Sequence, residues 1–286
     1  MEITAPAKIN LYLNVLYKRP DGYHEIETLF ERISLADRLS VELTGGQTSI
    51  TCDNPMVPTD PGSLMMRVIG LFNAKSGARH RFRVHLEKKI PVSAGLGGGS
   101  SDAASLLMAM NITAGNPLGM DCLSEIAASC GSDIPFFLQD TSFAVGRGRG
   151  ESLRKVKSGL KIWHILINPP FEVSTKDIYD GLDPLVLTRK VAVDTMFSTF
   201  LRDKDYSGIA KNLCNDLQDV TLGKFPVLGK VFSALRESGA EGVLLSGSGP
   251  TVFGIFSEEK VFAARDTLSS VFPEKEGWRV FAACTV

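Results

Sequence analysis

Residues 91–104 read PVSAGLGGGSSDAA, with glycine at 95, 97, 98 and 99 ahead of an Asp and an apolar run. No other stretch of this chain limits its fold as much. Glycine admits positive φ and lets ligand oxygens come close to main-chain N–H groups. A helix starting directly behind such a turn aims its unpaired N–H groups and positive dipole end at the same point. A flexible turn with a serine N-cap is the plainer alternative. So many glycines between a strand and a helix favour an anion site, with Ser100 and Ser101 adding hydroxyls that can donate to phosphate or ligate Mg²⁺. Two familiar phosphate loops are excluded. GxxxxGK[ST] needs a Lys after its last glycine, where this chain has Ser100, and GxGxxG needs a third glycine where Ser100 also stands. No GxSxG occurs, so a serine hydrolase is poorly supported.

The glycine stretch sits among segments of clear periodicity. Alternation in KINLYLNVLYK (8–18), IETLFERISL, RLSVEL and RFRVHLEKK predicts strands, and PDGYHE between the first two predicts a turn. SLMMRVIGLFNAKSG has helical spacing and stops at Gly77. Behind the glycines, Ala103, Leu106, Leu107 and Met110 line one side of a helix, and DCLSEIAAS makes another. Further strands are predicted in SFAVGRG, KIWHILINP, GVLLSG, TVFGIF and WRVFAAC, and helices in STKDIYDGL, VDTMFSTFLR, FPVLGKVFSALRES and EEKVFAARDTLSSVF. Strand and helix blocks are partly segregated, which argues for α+β packing rather than a doubly wound sheet. The charged GRGRGESLRKVKSGLK is the best linker, which divides the chain into 1–156 and 157–286.

Composition narrows the partners. A net charge of −1 gives no electrostatic argument for nucleic acid or an anionic membrane. The five cysteines lack CxxC or zinc-type spacing, so free thiols in a reducing compartment are expected. With no leader-like start and no apolar run long enough for a bilayer, a cytoplasmic protein is expected.

Three stretches in this order, PAKINLYL, PVSAGLGGGSSDAA and SGSGPTVFG (246–254), resemble the GHMP kinases, the group including galactokinase, homoserine kinase and mevalonate kinase. KRPDGYHE, GSDIPFF and NDL add a likeness to the branch that phosphorylates a cytidine-diphosphate-linked methylerythritol; a homoserine, mevalonate or sugar kinase of the same group is the alternative. The resemblance spans essentially the whole chain. It implies an N-terminal domain like the second domain of ribosomal protein S5, a ferredoxin-like C-terminal domain, and ATP with Mg²⁺. Pro91, Gly95, Leu96, Gly97, Gly98, Gly99, Ser100 and Ser101 become the nucleotide-binding candidates, with Ser100 or Ser101 a possible metal ligand and no acidic ligand assigned.

By the same resemblance Lys8 and Asp133 form the catalytic pair, Asp133 as proton acceptor and Lys8 stabilising developing negative charge. Read alone, a strand-end Lys is usually solvated, and an Asp before Ile-Pro is often a helix N-cap. The likeness assigns Tyr23 and His24 to the cytidine end of the substrate, Asn10 to the methylerythritol hydroxyls, Tyr179 to a second aromatic contact and Thr175 to the substrate's vicinity. Arg147 or Arg149 is available to clamp a diphosphate. The SGSGPTVFG turn, with Gly247 and Ser248, is expected to support the phosphate loop. A monomer or weak homodimer acting on a small molecule completes the expectation.

Overall fold

The computed structural model describes residues 1–183 and 193–286. In chain order the strands are β1 (Glu2–Lys18), β2 (His24–Leu43), β3 (Ser49–Cys52), β4 (Phe82–Glu87), β5 (Phe143–Gly148), β6 (Ser152–Val156), β7 (Trp163–Asn168), β8 (Cys214–Asn215), β9 (Gly242–Leu245), β10 (Val252–Phe256) and β11 (Arg279–Cys284). The helices are α1 (Leu64–Ser76), α2 (Gly98–Thr113), α3 (Met120–Cys130), α4 (Ile134–Leu138), α5 (Thr175–Tyr179), α6 (Val193–Asp203), α7 (Tyr206–Lys211), α8 (Gln218–Lys224), α9 (Leu228–Glu237) and α10 (Glu258–Val271). Helix and strand are mixed as the α+β reading expects. Two compact units form: Met1–Ala7, Ala36–Val92 and Gly97–Asp140 in the first, Lys8–Leu35, Ser93–Leu96 and Thr141–Val286 in the second.

In the first unit β4 pairs antiparallel with the end of β2 and parallel with β3. Its strict alternation puts Phe82, Val84 and Leu86 inward, as a half-buried strand requires. The helix predicted after Ser63 is α1. Ser63 caps it by accepting from the Met66 N–H, and Gly77 ends it at φ +68°, a left-handed C-cap. Behind the glycines, α2 is buried more fully than one apolar side requires: Ala104 and Ala109 join Ala103, Leu106, Leu107 and Met110 in the core. Small residues let α1, α3 and α4 all approach it, so α2 is the central helix of its unit.

The second unit holds the antiparallel sheet β11-β7-β10-β9. Counted along the chain its strands run 4-1-3-2, with helices after the first and third: the ferredoxin-like arrangement. Helices α9 and α10 cover it through Leu228, Val231, Phe232, Leu235, Val261 and Leu268. A smaller cluster of Leu13, Val15, Ile26, Val173, Ile178 and Leu217 seats α5.

Two local expectations are corrected. The separate strands predicted in 26–35 and 38–43 are one 20-residue strand, β2. The predicted linker is ordered through Val156, because β5 and β6 close as an antiparallel hairpin across Gly148 and Gly150, both at positive φ.

Candidate active site

The glycine stretch follows β4 and leads into α2. Gly95 and Gly97 take left-handed φ of +74° and +67°, and Ser93, a non-glycine residue, is at +53°. Strain of that kind persists only where the surroundings hold it, and it gathers at ligand-binding turns. Each glycine has its own reason. An added Cβ on Gly95 would run into the Ser246 carbonyl and lie 3.0 Å from that of Gly249. One on Gly98 would be 2.9 Å from Lys88 Nζ and from Ile90 Cγ2. Gly99 is exposed, and a Cβ there would meet nothing within 4 Å, so the protein itself does not demand glycine at 99. The Ser101 hydroxyl is buried, with no hydrogen-bond partner. An open glycine, a helix N-terminus and an unspent hydroxyl suit a phosphate group. Among the described residues no three or more His, Cys, Asp or Glu gather to hold a metal ion.

Lys8 and Asn10 lie on β1 in the second unit, and the Lys8 N–H donates to the Leu96 carbonyl at 2.9 Å, which pins the strand to the glycine stretch. The Lys8 side chain is buried: its ammonium donates to Asn10 Oδ1 at 2.8 Å and lies 5.2 Å from the centre of the Phe30 ring. Asn10 Nδ2 donates to Thr28 Oγ1 at 2.8 Å, and Thr28 donates to the Tyr12 carbonyl. Lys8 is therefore no solvated strand-end lysine. The SGSGPTVFG turn also joins this stretch, as Ser246 Oγ donates to the Gly95 carbonyl and the Thr251 N–H reaches Ala94. Asn215 fixes the turn from β8 through its bonds to the Leu245 and Gly247 carbonyls.

Asp133 lies in the first unit at the start of α4, which packs on α2. It occupies the N-cap position of α4, as the plainer reading expects, but its carboxylate makes no capping hydrogen bond to that helix.

The substrate candidates gather in the second unit. The His24 and Tyr179 rings are 5.0 Å apart and tilted by 30°. Burial holds the His24 imidazole below its usual range, with the Lys18 charge adding to the effect and Asp180 opposing it. A neutral imidazole offers one donor and one acceptor. Tyr23 is 57% exposed, with the Arg149 guanidinium over its ring at 4.9 Å. Arg147 instead grips Glu27 through two hydrogen bonds of 2.9 and 3.1 Å, whereas Arg149 pairs more loosely with Glu151, Nε to Oε1 at 3.5 Å, while lying over the exposed Tyr23 ring. Thr175 Oγ1 and Ser248 Oγ are 2.8 Å apart.

Three charged residues escaped sequence reasoning. Lys88, just after β4, pairs with Asp37 of β2 and with Asp102 of α2, 2.7 Å away in the latter case, and all three are buried. Burial pushes the Asp102 carboxyl up to about 7, with Lys88 opposing and the Asp37 charge adding to the rise. Burial tends to lower Lys88, but the two carboxylates overcome it and raise the ammonium. Only the Asp at the end of GGGSSD was a local signal.

The family model for the GHMP kinases N terminal domain matches residues 63–141, which hold the glycine stretch and Asp133, and that for the GHMP kinases C terminal matches 196–274. The chain belongs to the GHMP kinase family, a family of small-molecule kinases. It is 39% identical to the 4-diphosphocytidyl-2-C-methyl-D-erythritol kinase of Syntrophotalea carbinolica, over 97% of this chain and 96% of that one. Among solved structures, a 4-(cytidine 5'-diphospho)-2C-methyl-D-erythritol kinase is 33% identical with a TM-score of 0.83, each chain covered in full. Homoserine kinase from Cytophaga hutchinsonii shares the fold alone, at 18% identity and a TM-score of 0.73 over 100% of this chain and 94% of that one.

Proposed function

We propose that this protein transfers the γ-phosphoryl group of ATP to the 2-hydroxyl of 4-diphosphocytidyl-2-C-methyl-D-erythritol, a step in making isoprenoid precursors without mevalonate. Beyond the full-length likeness to kinases of that substrate, one observation carries the choice. Tyr23 and the paired His24 and Tyr179 rings offer aromatic faces and a neutral imidazole, which suit a nucleobase. Homoserine and mevalonate have nothing to stack there.

In this reading the glycine stretch, with Pro91 ahead of its glycines and Leu96 among them, takes the phosphate tail, and the Ser100 or Ser101 hydroxyl would help hold Mg²⁺, which would neutralise phosphate charge. Asp133 accepts the proton as the substrate oxygen bonds to the γ-phosphorus and the bond to the β–γ bridging oxygen breaks, releasing ADP. Lys8 supplies positive charge while negative charge builds. Asn10 and Thr175 orient the alcohol, and Arg149 is the better placed of the two arginines for the diphosphate. The family matches fall on either side of residue 156, which supports a division near there along the chain, although the second compact unit also takes in Lys8–Leu35 and resumes at Thr141. Five free cysteines suit the reducing cytoplasm, where a monomer or weak homodimer would act. Among the described residues no helix is long and apolar enough to cross a membrane.

The test is an assay coupling ADP release to NADH oxidation. The cytidyl alcohol should support turnover, and homoserine, mevalonate and galactose should not. Turnover on one of those three with none on the cytidyl alcohol would assign the chain to another branch of the family.

A further inference from the structure

Lys88 has a side chain only 3% exposed, shared between two carboxylates that are themselves buried. Swapping a buried ion cluster for well-packed apolar groups often costs nothing, so stability alone does not explain it. Its placement is more telling. One carboxylate, Asp37, is fastened to the main chain: its Oδ1 accepts from the Lys89 N–H at 2.6 Å and the Ile90 N–H at 2.8 Å. The other, Asp102, is on α2 one turn beyond Gly98; its Oδ1 is buried without a hydrogen-bond partner, and its Oδ2 accepts from Lys88 Nζ at 2.7 Å. The ammonium lies directly under the start of α2, close enough that a Cβ at 98 would sit 2.9 Å from it and force it to shift. We propose that Lys88 is a positioning residue for nucleotide binding: held by Asp37, it grips Asp102 and fixes the first turn of α2, residues 98–101, where its N–H groups meet the phosphates. Hydrogen-bond donors aimed at a phosphate lose much of their worth when they shift by a fraction of an ångström, so a tether at the helix root acts on ATP without touching it.

This inference rests on the glycine stretch being the phosphate site, and the experiment separates the two. Asp102→Ala, Asp102→Asn and Gly99→Ala are compared with wild type by steady-state kinetics in both substrates, with thermal unfolding as the folding check. Asp102→Ala should raise the KM for ATP about tenfold or more, with the KM for the cytidyl alcohol within twofold. Asp102→Asn keeps the shape and an acceptor for Lys88, so it should recover most of that loss; it also keeps the test alive if the alanine variant folds poorly. A KM for ATP within twofold of wild type in the asparagine and alanine variants, with Gly99→Ala raising it, would overturn the tether alone. An equal rise in both KM values would overturn it too, as general structural damage. If Gly99→Ala also leaves the KM for ATP unmoved, the phosphate site itself is misplaced.

Discussion

Gly95→Ala separates what the fold needs from what the ligand needs. Gly95 has φ +74°, where an L-residue costs about 1–2 kcal/mol. The added methyl would also overlap the Ser246 carbonyl and press on that of Gly249, both backbone atoms. They cannot easily yield, because the turn is closed by the Ser246 N–H to Thr251 and the Gly249 N–H to Ser246, each at 2.9 Å, and is braced by Asn215. Overpacking against a held backbone adds about 1–3 kcal/mol. The total, roughly 2–5 kcal/mol, is a large share of the 5–15 kcal/mol typical of a folded domain. Urea unfolding followed by circular dichroism should show a much earlier transition, and calorimetry a Tm lower by about 5–15 °C. Gly99→Ala is the matched control. With nothing near its Cβ, it should unfold within about 1 kcal/mol of wild type, on the stable side if helix propensity acts. If Gly95→Ala unfolds within about 1 kcal/mol of wild type, the loop does not lie packed under that turn, and the account of this glycine fails.

Asp133→Asn should lower kcat by about 10²–10⁴ with both KM values within a few-fold, and near-normal kcat in stopped assays would remove its role as proton acceptor. Tyr23→Ala should raise the KM for the cytidyl alcohol by about tenfold and leave that for ATP alone; equal effects on both would deny Tyr23 a place at the nucleobase. Arg149→Ala should raise the KM for the cytidyl alcohol more than Arg147→Ala does, and the reverse order would hand the diphosphate to Arg147. Asp102, pushed up to about 7 by burial from an ordinary value of 3.8, binds a proton in the folded state that the unfolded chain has released, so its share of stability falls as pH rises from about 4 to 7. Asp102→Asn removes that dependence. Urea titrations at pH 5, 6.5 and 8 should find the variant gaining on wild type as pH rises, and a constant difference would contradict the assignment.

What the chain reveals by itself follows the range of the forces involved. α1 could be read because its apolar spacing, Ser63 cap and Gly77 stop all act within one turn of their own residues. β4 could be read because alternation is local. The unity of β2 could not. Its middle, Ser34-Leu35-Ala36-Asp37-Arg38, looks like a break in the alternation, yet Asp37 is buried there because Lys88, 51 residues away, meets its charge. Likewise Ile33 bridges to Thr285 at the far end of the chain. The charged hairpin at Arg147 reads as a linker in the sequence because glycine and charge mark both, and only its pairing with β2 distinguishes them.

The site divides along the same line. Glycine density marks the turn we propose for the phosphates because conformational freedom is a property of the residue itself, and the motif order singles out Lys8 and Asp133 as the proposed pair. Composition could not say why each glycine is needed, since Gly95 answers to a turn about 150 residues away, Gly98 to a buried ammonium, and Gly99 to nothing in the protein. Nor could it choose between Arg147 and Arg149. One faces Glu27 across the β2–β5 ladder, whereas the other lies past Gly148, whose positive φ turns the chain so that the next arginine meets Tyr23. The preference for Arg149 over Arg147 that we propose thus rests on one left-handed glycine. The same logic makes Gly99 the most informative of the loop glycines: the fold leaves room there for a side chain, so a loss of ATP binding in Gly99→Ala without a loss of stability would trace to the ligand.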